Sequence, residues 1–372
     1  MKILILTCST GEGHNSAASA LREYFQAKGI ESSVVDTLSL VNTAVSKTAS
    51  DVYLFSTRTK MFRFLYNAGE AVRNIHAKSP VYLANKLYCG RLLDYINQHG
   101  FDTVICVHLF PAEALTALKN AGKLKAVTLF VMTDYTCIPF MEETRLDHYV
   151  VPHEHLIEEC ASKGIPREKL HPLGIPVRQC FYSRSSKAQA RNACKRLFGS
   201  AVNSEVPWLL VMSGSMGFGN VEALIREIVK EPRAKAIFIV CGTNKRLEND
   251  LCKDFGSNEN ISVIGFTDQI ATLMDACDVV FTKPGGLTST EAAAKNLPII
   301  HTEPIPGCET HNALFFHYHG MSYSTKDVAE QVRRAVSLCT SHQENQRMME
   351  AQRKNINHNT CSDILMLLWK GE

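Results

Sequence analysis

The 372-residue chain has no Cys-x-x-Cys pair and no cysteine–histidine spacing of the kind that holds zinc, although it carries 13 cysteines. That argues against a metal centre. The cysteines are odd in number and scattered, often inside apolar runs such as Val104-Ile105-Cys106-Val107, so they read as reduced core thiols. Long apolar runs are missing too. Met1-Lys2-Ile3-Leu4-Ile5-Leu6 turns polar at Thr7, short of a signal-peptide core, and no later run approaches the roughly 18 residues that span a bilayer. The expected location is the cytoplasm. Charge of one sign is also scarce: a formal net charge of +3 and a pI of about 8.2 fall short of the strongly basic face that nucleic acid requires. No nucleic-acid partner is expected.

What is present describes an ordinary globular protein, with 45% hydrophobic and 21% charged residues and a mean hydropathy of −0.08. The length suggests two or three domains at about 150 residues each, and two is the economical number. Short β-branched runs alternate with helical stretches throughout. The expected strands are 2–7, 33–37, 103–107, 127–133 and 148–152 in the first half, then 208–213, 236–241, 261–265, 279–282 and 298–302. Continuous rather than alternating apolar runs fit parallel strands covered on both faces, so the expected fold is α/β, with two Rossmann-like, doubly wound parallel sheets. The boundary is expected near 180, within a linker at 176–188 where proline and then a serine and basic cluster interrupt the pattern. Residues 1–180 and 181–372 form the two domains, and a final apolar helix before Trp369 is expected to cross back to the first.

Three strand-to-helix loops carry candidate chemistry. The first, Thr10-Gly11-Glu12-Gly13-His14, lacks the third glycine of a dinucleotide loop. His14 stands at a helix start, where the positive end of the helix dipole favours a neutral ring able to accept a proton. Plain capping or packing is the competing reading of that histidine. The second loop, Ser213-Gly214-Ser215-Met216-Gly217, is small enough for its amides to approach a diphosphate. The third, Thr282-Lys283-Pro284-Gly285-Gly286-Leu287-Thr288-Ser289-Thr290-Glu291, is a glycine turn opening a helix. It reads either as a nucleotide seat or as a capping box in which Thr288 and Glu291 only close the helix end.

One insertion, about 41–100, breaks the alternation. It mixes aromatics such as Tyr53, Phe55 and Phe62 with Arg58, Lys60, Arg63 and other cations, a composition suited to the headgroups of an anionic membrane or to a helical cap with a solvated basic face.

Taken in order, Thr10-Gly11-Glu12-Gly13-His14, Thr133-Asp134, Gly174-Ile175-Pro176-Val177-Arg178, Ser213-Gly214-Ser215-Met216-Gly217, Gly265-Phe266-Thr267, Thr282-Lys283-Pro284-Gly285-Gly286 and Pro306-Gly307-Cys308-Glu309-Thr310-His311-Asn312 resemble the motifs of one family. That family is the monogalactosyldiacylglycerol synthases and processive diacylglycerol β-glucosyltransferases of glycosyltransferase family 28. The resemblance runs over about residues 1–320 and implies a GT-B fold, two Rossmann-like domains facing across a cleft. It also implies an inverting hexosyltransferase with UDP-glucose or UDP-galactose as donor and diacylglycerol as acceptor. The enzyme would sit peripherally on the inner face of the cell membrane and use no cofactor and no metal.

By the same resemblance His14 matches the catalytic base, and Asp134 a carboxylate that orients or supports it. Gly11 and Gly13 fall in the acceptor-side loop, and Ser213, Gly214 and Ser215 would cradle the diphosphate. Phe266 and Thr267 would line the uracil pocket, Gly285, Gly286 and Thr288 would form the nucleotide wall, and Glu291 would take the ribose hydroxyls. Glu309 and Asn312 would contact the hexose. Segment 41–100, with Arg58, Lys60 and Arg63, matches the membrane-contacting region. Cys308 stands where the family often has glutamine, which leaves glucose against galactose open. A GT-B enzyme with another acceptor, a UDP-sugar epimerase and a silent UDP-sugar or lipid sensor are the alternatives.

Overall fold

A computed structural model describes residues 1–8, 12–40, 79–199, 204–213, 221–233 and 235–370. The chain divides into two compact units, residues 1–178 with 359–372, and residues 179–358. Each is built on a six-stranded, wholly parallel sheet.

In the first unit the strands are β1 (Lys2–Thr7), β2 (Glu31–Asp36), β3 (Thr103–Cys106), β4 (Val127–Val131), β5 (His148–Val151) and β6 (Leu170–Pro172). Their order across the sheet is β2-β1-β3-β4-β5-β6. Ile3, Leu4, Ile5 and Leu6 are fully buried, as are Val104 and Ile105, because helices cover both faces of these strands. Between β1 and β2 lies the helix Glu12–Ala27, whose Ala17, Ala18, Leu21 and Phe25 face inward at helical spacing. The C-terminal helix Thr360–Lys370 belongs to this unit, and Thr360 Oγ1 donates to the Leu173 carbonyl at 2.8 Å.

The second unit holds β7 (Trp208–Met212), β8 (Ala236–Val240), β9 (Ile261–Ile264), β10 (Val279–Thr282), β11 (Ile299–His301) and β12 (Tyr323–Ser324), in the order β12-β11-β10-β7-β8-β9. That is the dinucleotide-fold order, with reversal between its first and fourth strands. Its core joins Ile225, Ile228, Ile239, Leu251, Phe281 and Ile300 from strands and flanking helices.

All ten expected strands are present, with ends shifted by up to two residues. Two were not expected: β6 and β12, each a short edge strand whose few residues carry no apolar run. The serine and basic cluster at 183–187 is not a plain linker. Ser186 and Gln189 form a capping box that starts the helix Lys187–Phe198. The 13 cysteines are all free thiols, most of them buried, and burial pushes Cys339 and Cys361 up to about 12. Among the described residues no helix is long and apolar enough to cross a membrane.

Candidate active site

In an open parallel sheet, ligands bind beyond the carboxyl ends of the strands where the strand order reverses. The first unit reverses between β1 and β3, and the second between β7 and β10. Each reversal point carries a candidate site.

At the first, His14 occupies the opening turn of the helix that follows β1. Its Nδ1 lies 2.8 Å from the carbonyl oxygen of Val107, which directly follows β3. A carbonyl can only accept, so Nδ1 carries the proton and Nε2 keeps the lone pair. Thr133 Oγ1, just past β4, lies 3.1 Å from the same Nδ1, where it can share that proton as a second acceptor. Burial lowers the His14 pKa below its ordinary 6.5, while Asp134 and the Val107 carbonyl pull it partly back. The result is a neutral imidazole oriented as a proton acceptor, with a carboxylate in electrostatic reach.

Sequence reasoning missed His108. Its ring packs edge-on against His14, centroids 4.6 Å apart at 86°. Nδ1 of His108 accepts the Phe110 N–H at 3.1 Å and so caps the helix Leu109–Asn120. Burial and the neighbouring His14 hold His108 well below the usual imidazole range. A histidine directly after an apolar strand was the available signal, but only the pairing of β1 with β3 shows that it meets His14.

At the second reversal point β7 ends at Met212, and Ser213 follows with its Oγ donating to the Val240 carbonyl at 3.1 Å. β10 ends at Thr282, and the turn 283–285 leads into the helix Gly286–Ala294. Here the capping-box reading fails. Gly285 is the N-cap and no side chain caps the helix; Thr288 lies within its first turn, and Glu291 sits further in, 6% exposed. The amides of that first turn, where helix dipole and unpaired N–H groups coincide, remain suited to an anion.

Asn312 and Glu309 lie on the helix Cys308–Tyr318, which starts after Gly307 at φ 119°, a backbone conformation open essentially to glycine. Asn312 is fully buried, and its Nδ2 donates to the Pro284 carbonyl at 3.0 Å, tying this helix to the glycine turn. Glu309 accepts the Ile305 N–H at 2.9 Å and pairs with Lys283. Lys283 was not singled out from the sequence, though a cation directly ahead of a glycine turn was the signal for it.

Phe266, after β9, is 70% exposed, an unusual state for a large apolar ring and a suitable stacking surface. Thr267 Oγ1 accepts the Gln269 N–H at 3.1 Å and shapes the same turn. Gly13 lies in the first turn of the His14 helix. Gly11, Gly214, Ser215, Arg58, Lys60 and Arg63 lie outside the described residues. Within the second unit the structure thus brings Gly285, Gly286, Thr288, Glu291, Glu309 and Asn312 onto two neighbouring elements, with Ser213 just past the end of the adjoining strand β7.

Residues 14–177 match the family model of monogalactosyldiacylglycerol (MGDG) synthase, and residues 208–364 match the glycosyltransferase family 28 C-terminal domain. A processive diacylglycerol beta-glucosyltransferase from Bacillus pumilus strain SAFR-032 is 30% identical over 324 residues, covering 86% of this chain and 82% of the relative. Among solved structures, Acinetobacter baumannii MurG superposes with a TM-score of 0.63 at 16% identity, over the full length of both chains. Anabaena Alr3699/HepE in complex with UDP-glucose gives 0.60 at 14%, again over both full chains. These two likenesses establish the GT-B fold. The chain therefore belongs to the MGDG synthase and processive diacylglycerol β-glucosyltransferase family, and it is a family 28 glycosyltransferase.

Proposed function

We propose that the chain is an inverting hexosyltransferase that moves a sugar from a UDP-hexose to the hydroxyl of diacylglycerol. The observation that carries this reading is the His14 ring, whose Nδ1 is committed to the Val107 carbonyl so that Nε2 holds a lone pair at the carboxyl end of β1. In the reaction, Nε2 takes the proton of the acceptor hydroxyl as its oxygen bonds to the anomeric carbon. The bond from that carbon to UDP breaks, its electron pair leaving with the diphosphate. Asp134 supports the imidazolium that forms. The charge on the departing UDP is met by the first-turn amides of the helix Gly286–Ala294 and by Lys283, preorganised electrostatics of the kind that usually contributes most to catalysis. Phe266 stacks on uracil, Glu291 takes the ribose hydroxyls, and Glu309 with Asn312 reads the hexose.

The name of the Bacillus relative favours glucose as the sugar. Work at a membrane surface is supported by Leu83 and Leu87, which are 57% and 84% exposed beside the exposed cations Lys86 and Arg91. Such a patch suits the interface of an anionic leaflet, on the cytoplasmic side where UDP-sugars are found.

The test is to incubate the protein with a panel of UDP-hexoses and vesicles containing diacylglycerol and anionic lipid, then identify the lipid products by mass and anomeric configuration. A β-linked hexosyl diacylglycerol is expected. Isomerisation of the donor in lipid-free buffer, or UDP binding without turnover on any acceptor, would overturn the reading.

A further inference from the structure

His301 is the last residue of β11 and is completely buried. It lies between the two helices that hold most of the donor-site residues. Its Nε2 is 2.9 Å from Ser289 Oγ, on the helix Gly286–Ala294 that carries Thr288 and Glu291. Its Nδ1 is 3.0 Å from Ser322 Oγ, in the segment that leaves the helix Cys308–Tyr318. The ring also packs edge-on against Phe316 of that second helix, 5.5 Å between centroids. A serine hydroxyl can give or take a hydrogen bond, so the neutral imidazole satisfies both contacts by donating through one ring nitrogen and accepting through the other.

We infer that His301 is a positioning residue of the nucleotide-sugar site, a buried crossbar that holds the Glu291 helix in register with the Glu309 and Asn312 helix. The inference rests on the donor reading proposed above. Those two helices meet at their open end through Asn312 and the Pro284 carbonyl, and through Glu309 and Lys283. His301 supplies a second, buried tie about one turn further along the Glu291 helix. Ser289 lies on a helix whose other inward residues are mainly alanines and small hydroxyls, so its bond to His301 is a directional hold that the alanines do not supply. A displacement of about 1 Å there is enough to cost a ligand its hydrogen bonds, because such bonds weaken steeply with distance and angle. Burial, reinforced by His317, holds the His301 pKa down to about 3, which keeps the ring in its bridging form at any working pH.

The two ring nitrogens can be tested separately. Glutamine places its amide nitrogen close to the Nε2 position, and asparagine places its own close to Nδ1. His301→Gln therefore keeps the Ser289 bond, whereas His301→Asn keeps only the Ser322 bond. UDP affinity by calorimetry, KM for UDP-hexose, kcat and Tm are measured for wild type, H301Q, H301N and Ser289→Ala. H301N and S289A are expected to weaken UDP and raise KM about tenfold, with kcat at saturating donor within about threefold of wild type, while H301Q recovers most of the affinity. Unchanged UDP affinity in S289A, or equal losses in H301Q and H301N that track Tm, would overturn the inference and leave His301 a core residue only. Should H301N fail to fold, S289A decides, since it removes one hydroxyl and adds no bulk. Failure of the wild-type protein to bind UDP would instead defeat the donor reading itself.

Discussion

His14 performs two tasks that a single substitution can separate. Its Nδ1–H satisfies the buried Val107 carbonyl, and its Nε2 lone pair is the proposed proton acceptor. His14→Ala removes both. Leaving that carbonyl without its donor costs about 1–3 kcal/mol, and at about 2–4 °C per kcal/mol for a unit of this size the first unit should melt some 2–12 °C earlier. His14→Asn is the informative variant, because its amide nitrogen sits near the Nδ1 position and can still donate to Val107, while nothing replaces Nε2. Its Tm should stay within about 2 °C of wild type. Transfer should nonetheless fall by about 10²–10⁴, the usual contribution of a positioned general base, or about 3–5 kcal/mol of barrier. The assay is radiolabelled hexose transfer to vesicles, with UDP binding measured in parallel and expected to be unchanged.

The pH profile supplies the second arm. The reactive form is neutral, so kcat/KM for the acceptor is flat at alkaline pH and falls as pH drops through the His14 pKa, which burial places below 6.5. Asp134 raises that pKa by stabilising the imidazolium, so Asp134→Asn should move the acid limb to still lower pH while lowering the plateau. Transfer by H14N within about threefold of wild type, or an acid limb that moves up in D134N, would refute the assignment of His14 as base.

Three further outcomes follow from the second unit. Because His301 is held at about 3 against an ordinary 6.5, the unfolded chain takes up a proton first as pH falls below 6.5, and stability is lost from there down to about pH 3. At about 1.4 kcal/mol per pH unit, wild type should lose about 2 kcal/mol more than H301Q between pH 7 and 5, read by urea unfolding. Lys295 and Asp275 form a buried pair at 2.8 Å with side chains 1% and 8% exposed; Lys295→Met alone should cost about 3–5 kcal/mol, and the double variant with Asp275→Leu should recover most of it in a double-mutant cycle. Phe266→Ala should weaken UDP by roughly 5- to 150-fold, the worth of about 1–3 kcal/mol of base stacking, yet leave Tm nearly unchanged because the ring is 70% exposed; an unchanged UDP affinity would remove Phe266 from the uracil site.

The fold was largely legible because parallel strands covered on both faces must be written as unbroken apolar runs. Leu4-Ile5-Leu6, Val104-Ile105-Cys106 and Val279-Val280-Phe281 are such runs, and each is a strand with no exposed residue. β6 and β12 escaped because an edge strand of two or three residues needs no such run; Leu170-His171-Pro172 even ends in proline, which only a sheet margin tolerates. The helix after β10 is where the sequence places it, but the capping-box alternative for its start fails. Thr288 with Glu291 fits the capping-box spacing, yet Gly285 already provides the extended N-cap backbone, at φ −69° and ψ 134°. The helix therefore begins before Thr288, and Glu291 turns inward. Spacing alone cannot distinguish a carboxylate that closes a helix from one carried on its buried face.

The chemistry of the site was legible only in part, and the reason lies in where its parts are stored in the chain. His14 is local information: a histidine behind a glycine turn at a helix start. Its tautomer is not, since the atom that fixes it, the Val107 carbonyl, is 93 residues away and is a backbone group that any residue type would supply. The sheet brings the two together, by pairing β1 with β3 in the register Leu6 to Cys106, so that the residues following both strands emerge side by side. His108 follows from the same register, one residue beyond Val107, and so reaches the edge of the His14 ring. A change in that register by one residue would point His14 at a different backbone group and remove the edge contact, with every catalytic side chain still present. Insertion of a single alanine between Val107 and His108 leaves the Val107 carbonyl and the tautomer it fixes in place but carries His108 off the ring edge, so transfer should fall while the second unit still binds UDP; transfer at the wild-type rate would show that the edge contact is not needed to hold His14 as a base.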